Sequence, residues 1–66
     1  MKISNSKIKT LMAMQALTTK ALAERMHTQA NNLSTILTRG TCRPETAIKI
    51  ADALDVSVRE IIKEEV

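Results

Sequence analysis

An apolar spacing that occurs twice between Thr18 and Leu37 constrains this chain more than any other feature. Leu22, Ala23 and Met26 are spaced as one face of a helix requires, and Leu33, Ile36 and Leu37 repeat the pattern. Between them, His27 to Asn32 carries no bulky apolar side chain and several turn and cap formers. Two short amphipathic helices crossing steeply over one small core are predicted. Ala23 suits such a crossing, which leaves no room for a larger side chain. The second helix keeps an outward face of Ala30, Asn31, Ser34, Thr35 and Thr38. These side chains are short and mostly neutral and polar, which suits close approach to base edges in a major groove.

The flanking sequence extends this pair into an all-α domain. Ser4 is placed to cap a first helix, with Ile3 and Ile8 in staple positions and Ile8, Leu11, Met12 and Gln15 on one face. Ala16-Leu17 breaks it. Thr18 caps the second helix, with Leu17 and Leu22 as its staple, and that helix ends near Met26. The next runs from about Ala30 to Thr38, and Gly40 terminates it. Thr41-Cys42-Arg43 reads as a loop. Pro44 opens a fourth helix, Glu45 favours its positive end, and Ala47, Ile50, Ala51 and Leu54 form its buried stripe. After a turn at Asp55-Val56, Ser57 with Glu60 forms a capping box and Val56 with Ile61 a staple. A fifth helix to about Lys63 follows, with Ile61 and Ile62 closing the core. The expected fold is a bundle of five short helices, with no strand, repeat, low-complexity segment or linker.

In this order and spacing, LTTKALAERM, NNLSTILTRGTCRP and TAIKIADALDVSVREII resemble the Cro-like, xenobiotic-response-element family of helix-turn-helix DNA-binding proteins. The resemblance covers about Lys7 to Ile62. It implies a lambda-repressor-like domain whose helix from about Ala30 to Thr38 enters the major groove. Family members usually carry Gly at the place of His27, so positive φ is expected there, and His tolerates that region better than most side chains. Gln29 stands where the family prefers a Ser or Thr N-cap, and Thr28 is the other candidate cap. The usual ending places Gly sooner, with Glu in the last turn; here Leu37 replaces that Glu and Arg39 precedes Gly40.

Sixty-six residues make one domain, 1–66, and a chain this short buries only about 60% of the surface its unfolded form exposes. With no Phe, Tyr or Trp, the core must be built from Leu, Ile, Val, Met and Ala, which favours packed helices over a sandwich. Met12, Met14 and Met26 are expected as core gap-fillers. No apolar run approaches the roughly 20 residues of a membrane span, so no membrane partner is expected. Residues 1–10 are polar and basic, so no secretory leader is expected. A single Cys42 allows no internal disulfide, and a reducing cytoplasm is the expected location. Charge is unevenly divided. Residues 1–43 carry seven Lys and Arg against Glu24 alone, whereas residues 44–66 carry three against six carboxylates. The basic part coincides with the helix pair, the expected footprint of a polyanion-binding face.

By position in the motif, Gln29, Ala30, Asn31, Ser34 and Thr35 are expected to contact bases. Asn31 and Gln29 can pair bidentately with adenine, and Thr35 and Ala30 can pack against a thymine methyl. Thr19, Asn32, Thr38, Arg39, Thr41 and Arg43 are expected at phosphates. Thr19 lies at a helix start, where free N–H groups favour an anion, and the two arginines flank the recognition helix's exit. Lys20 and Lys9 are weaker candidates. His27 and Cys42 are too few for a metal site, the single Gly builds no nucleotide-binding loop, and the carboxylates read as solvated faces. No cofactor, small-molecule ligand or enzyme activity is expected. The expected partner is double-stranded DNA, bound by a small transcriptional regulator of phage, mobile-element or bacterial type. Weak homodimerisation on DNA is expected, for which Ile61, Ile62 and Val66 are candidate surface, although the two isoleucines suit the core better. The second reading is an antitoxin-like protein-interaction module on the same fold. A long acidic or apolar tail after the last helix would favour it.

Overall fold

Residues 1–63 are described by the computed structural model. Four α-helices run in order: α1 (Asn5–Met14), α2 (Thr19–Arg25), α3 (Ala30–Arg39) and α4 (Pro44–Ala53). A single 3-10 turn at Val58–Glu60 follows.

The side-chain caps predicted at Ser4 and Thr18 form. Ser4 accepts the amide proton of Lys7 at 3.2 Å, and Thr18 accepts that of Ala21 at 3.1 Å. Pro44 opens α4. Three helices end in the same closed loop, each on a residue with positive φ that is not glycine: Ala16 at 54°, His27 at 57° and Asp55 at 57°. At each, the next amide reaches back to the last turn: Leu17 to Met12 at 2.8 Å, Thr28 to Ala23 at 2.9 Å, Val56 to Ala51 at 3.0 Å. These bonds satisfy carbonyls the helix leaves unpaired. Gly40, at φ 71°, ends α3, where its missing side chain makes this conformation free of strain. The expected positive φ at His27 is therefore present.

Ile3, Ile8, Met12, Leu22, Ala23, Leu33, Leu37, Ala47, Ile50, Ala51, Leu54 and Ile61 form one buried cluster, with no polar side chain inside it among the described residues. Each Leu or Ile so buried contributes roughly 1.5–3 kcal/mol. The stripe predicted on α4 is buried in full. α3 packs on α2 by Leu33 and Leu37, so its other side is left to solvent. Two side chains brace the far end of α4: Gln15 donates from Nε2 to the Leu54 carbonyl at 2.6 Å, and Arg25 from Nη1 to the Ala53 carbonyl at 3.1 Å.

Two expectations need correction. Among the described residues the bundle has four α-helices, not five, because residues 56–63 make only one 3-10 turn. Ser57 accepts from Arg59 at 3.3 Å, one residue short of the capping-box partner. The chain is then drawn into pairing with the N-terminal segment, Ser4 donating to the Ile61 carbonyl at 2.7 Å and Lys63 to the Lys2 carbonyl at 3.1 Å. Those bonds use groups that a continuing helix would need. Met14 is 77% exposed rather than a gap-filler, because it lies two residues from the buried Met12 and so across the helix from it. Ile61 closes the core as expected, fully buried, and Ile62 is half-buried beside Ile3, while Val66, the other candidate for a dimer surface, lies outside the described residues.

Candidate nucleic-acid interface

The interface is built on the side of α3 that the core leaves free. With 3.6 residues per turn, the face opposite Leu33 and Leu37 is centred on Asn31, Thr35 and Thr38. Ser34 flanks it on one side, and Asn32 and Arg39 flank it on the other. All six are exposed. The helix carries no carboxylate, so nothing on it repels a polyanion.

The expected base-contacting residues are not equivalent. Gln29 is the N-cap, exposed and without a capping bond from its side chain. Thr28 makes no capping bond either; its hydroxyl accepts from Asn32 Nδ2 at 3.0 Å. Ala30 is half-buried and packs against the core cluster. Thr35 donates its hydroxyl proton to the Asn31 carbonyl at 3.0 Å, and Thr38 donates to the Ser34 carbonyl at 2.9 Å. A hydroxyl has one proton to give. As placed, neither threonine offers a donor outward, and Thr38 reaches a phosphate as a donor only after its side chain turns.

The remaining phosphate candidates group at two places. Thr19 is half-buried at the first position of α2, beside its N-cap Thr18, with Lys20 exposed next to it. Arg39, Thr41 and Arg43 are exposed around the exit of α3. This exit is tied down by the N-terminal segment: Ile3 donates to the Gly40 carbonyl at 2.9 Å, Cys42 to the Met1 carbonyl at 3.0 Å, and Lys2 pairs with Thr41. The backbone between Arg39 and Arg43 is thereby bonded to the N-terminal segment. Burial pushes the half-buried Cys42 thiol above its usual range, and the N-terminal ammonium acts against this.

Asn32 also faces a shallow groove shared with His27, Thr28, Ile36, Thr46 and Lys49. Lys49 is absent from the phosphate set expected from sequence, yet it places a further cation on that flank of α3. Thr46 and Lys49, three apart on α4, were the available signal, since that spacing puts both on one side of the helix.

The two packed helices, the positive-φ turn at His27 between them and the exposed polar face of the second define a helix-turn-helix DNA-binding domain. The family model for the Cro/C1-type helix-turn-helix DNA-binding domain matches residues 7–65, and the chain belongs to that family. Comparison with curated proteins and with solved structures returns no match. Among the described residues no helix is long and apolar enough to cross a membrane.

Proposed function

We propose that this domain is a sequence-specific transcriptional regulator that lays α3 in the major groove of an operator and acts by steric competition for that site. The observation that carries this reading is the free face of α3: polar, devoid of carboxylates and bordered by Arg39 and Arg43. Gln29, Ala30, Asn31, Ser34 and Thr35 would meet base edges. Thr19, Asn32, Thr38, Arg39, Thr41 and Arg43 would meet the two flanking backbones, positioning the helix without reading sequence. One domain of this size covers half of a typical operator. Two copies on a symmetric site would place their recognition helices about 34 Å apart.

Selection of binding sites from random DNA with the purified protein tests this reading. Enrichment of a defined sequence, with two inverted half-sites about 10 base pairs apart, is the expected result. A shift that is salt-dependent but equal on all duplexes would reduce the function to nonspecific binding. Absence of any shift would remove the regulator reading and favour a protein-interaction role for the same fold.

A further inference from the structure

We infer that the base-reading face of α3 is made for A·T pairs, taking thymine by its 5-methyl group at Thr35 and adenine by the amide of Asn31. This rests on the reading of α3 as the helix in the major groove. The starting observation is the hydrogen bonding inside the helix. The hydroxyl protons of Thr35 and Thr38 are already given to the carbonyls of Asn31 and Ser34. What these side chains present outward is a methyl group and an oxygen that accepts only.

The major-groove edge of guanine offers two acceptors, N7 and O6, and is matched by the paired donors of Arg or Lys. On α3 the first cation is Arg39, its last residue, at the far end from the helix entrance. No cationic side chain stands on the centre of the face, and the two threonines there have no proton to offer. At the centre guanine therefore finds no paired cationic donors, only the neutral amide of Asn31 and, on the flank, the hydroxyl of Ser34. Adenine presents N7 as acceptor and N6 as donor, the pattern an Asn amide completes in two bonds. Asn31 is exposed and its side chain makes no bond of its own among the described residues. Thr35 lies one turn further on the same stripe, so its methyl group falls beside the base edge next to the one Asn31 reads. Thymine is the base that carries a methyl group at that edge. Cytosine, with an N4 donor in the same groove, is the competitor that the Thr35 oxygen could accept from, and the test separates the two.

The experiment uses wild-type protein and a duplex of the selected site in which single thymines are replaced by deoxyuridine. This removes the 5-methyl group and leaves base pairing intact. At one thymine per half-site the affinity is expected to fall about fourfold, the worth of one buried methyl group. Thr35→Ser keeps the hydroxyl and its bond to Asn31 but lacks the methyl group. That variant, its helicity checked by circular dichroism, is expected to bind the normal and uracil duplexes equally at this position. Two results overturn the inference while the DNA-binding reading stands. One is a tight, specific site in which no uracil replacement changes affinity, or in which cytosine or guanine is selected at the central positions. The other is an equal loss on uracil replacement in wild type and Thr35→Ser. Failure to select any site overturns the underlying reading itself, a distinguishable outcome.

Discussion

Asn32 donates from Nδ2 to the hydroxyl oxygen of Thr28 at 3.0 Å, so the recognition helix is fastened to the turn that precedes it. The bond is exposed, and the position of α3 is set mainly by burial of Leu33 and Leu37. Thr28→Val keeps the shape and removes the acceptor. Its expected cost is about 1 kcal/mol or less of stability, with little change in DNA affinity. Asn32→Ala loses the same bond and also the second amide proton proposed for a phosphate. It is expected to weaken binding to specific and scrambled duplexes alike. The salt slope should stay the same, since a neutral amide releases no counterion. Equal affinities for the two variants would remove Asn32 from the phosphate set.

Ala16, His27 and Asp55 hold three helix ends in a conformation that favours glycine. Asp and His tolerate it better than Ala, whose side chain cannot bond locally. Ala16→Gly should therefore gain most, about 0.5–1 kcal/mol net, after the greater freedom of glycine in the unfolded chain is subtracted. His27→Gly should gain less, and Asp55→Gly should be near neutral. For a domain of this size 1 kcal/mol corresponds to roughly 4–8 °C in Tm. Thermal melts followed by circular dichroism at 222 nm report this ranking, since the chain has no aromatic side chain for fluorescence. A destabilised Ala16→Gly variant would contradict it.

Most of the helical architecture was readable because it depends on local chemistry. The caps at Ser4 and Thr18 and the stripe from Ala47 to Leu54 each follow from side chains within one or two turns. The end of the chain was not. Ser57 and Glu60 carry a sound local signal for a helix. It is overruled by bonds from Ser4 and Lys63 that link segments more than fifty residues apart, which no local pattern contains. The positive φ at Ala16 was equally hidden, since Ala carries no mark of it. At the interface, the outward face of α3 was legible from periodicity at Asn31, Ser34, Thr35 and Thr38, whereas Ala30, expected on that face, is half-buried against the core cluster. The inward turn of the Thr35 and Thr38 hydroxyls was not legible, because a threonine in a helix chooses among rotamers that sequence does not distinguish.

Arg39 and Arg43 border the exit of α3, and neither is held in an ion pair among the described residues. If each neutralises one phosphate, Arg39→Ala and Arg43→Ala should each reduce the slope of log affinity against log salt by about 0.9. Binding should weaken uniformly on specific and nonspecific duplexes, with the preferred sequence unchanged. Stability should barely move, because both side chains are exposed. Titrations across a range of salt concentrations measure the slope directly. A variant that loses affinity with its slope intact would show that the arginine acts by some means other than charge.

Cys42 gives the domain a pH dependence whose sign follows from its surroundings. Burial raises its thiol pKa in the folded state above the unfolded value, so the folded form holds its proton to higher pH. Below the unfolded value, about 8.5, both states are protonated and the group leaves stability unaffected by pH. As pH rises through that value the unfolded chain ionises first, and stability falls until the folded thiol also ionises. The N-terminal ammonium nearby opposes the shift, so the effect should be small. Denaturation at pH 7 and at pH 10, for the protein and for Cys42→Ala, isolates it. The variant should lose less stability over that interval than the parent. An identical loss in both would show that the thiol has the same pKa in the folded and unfolded states.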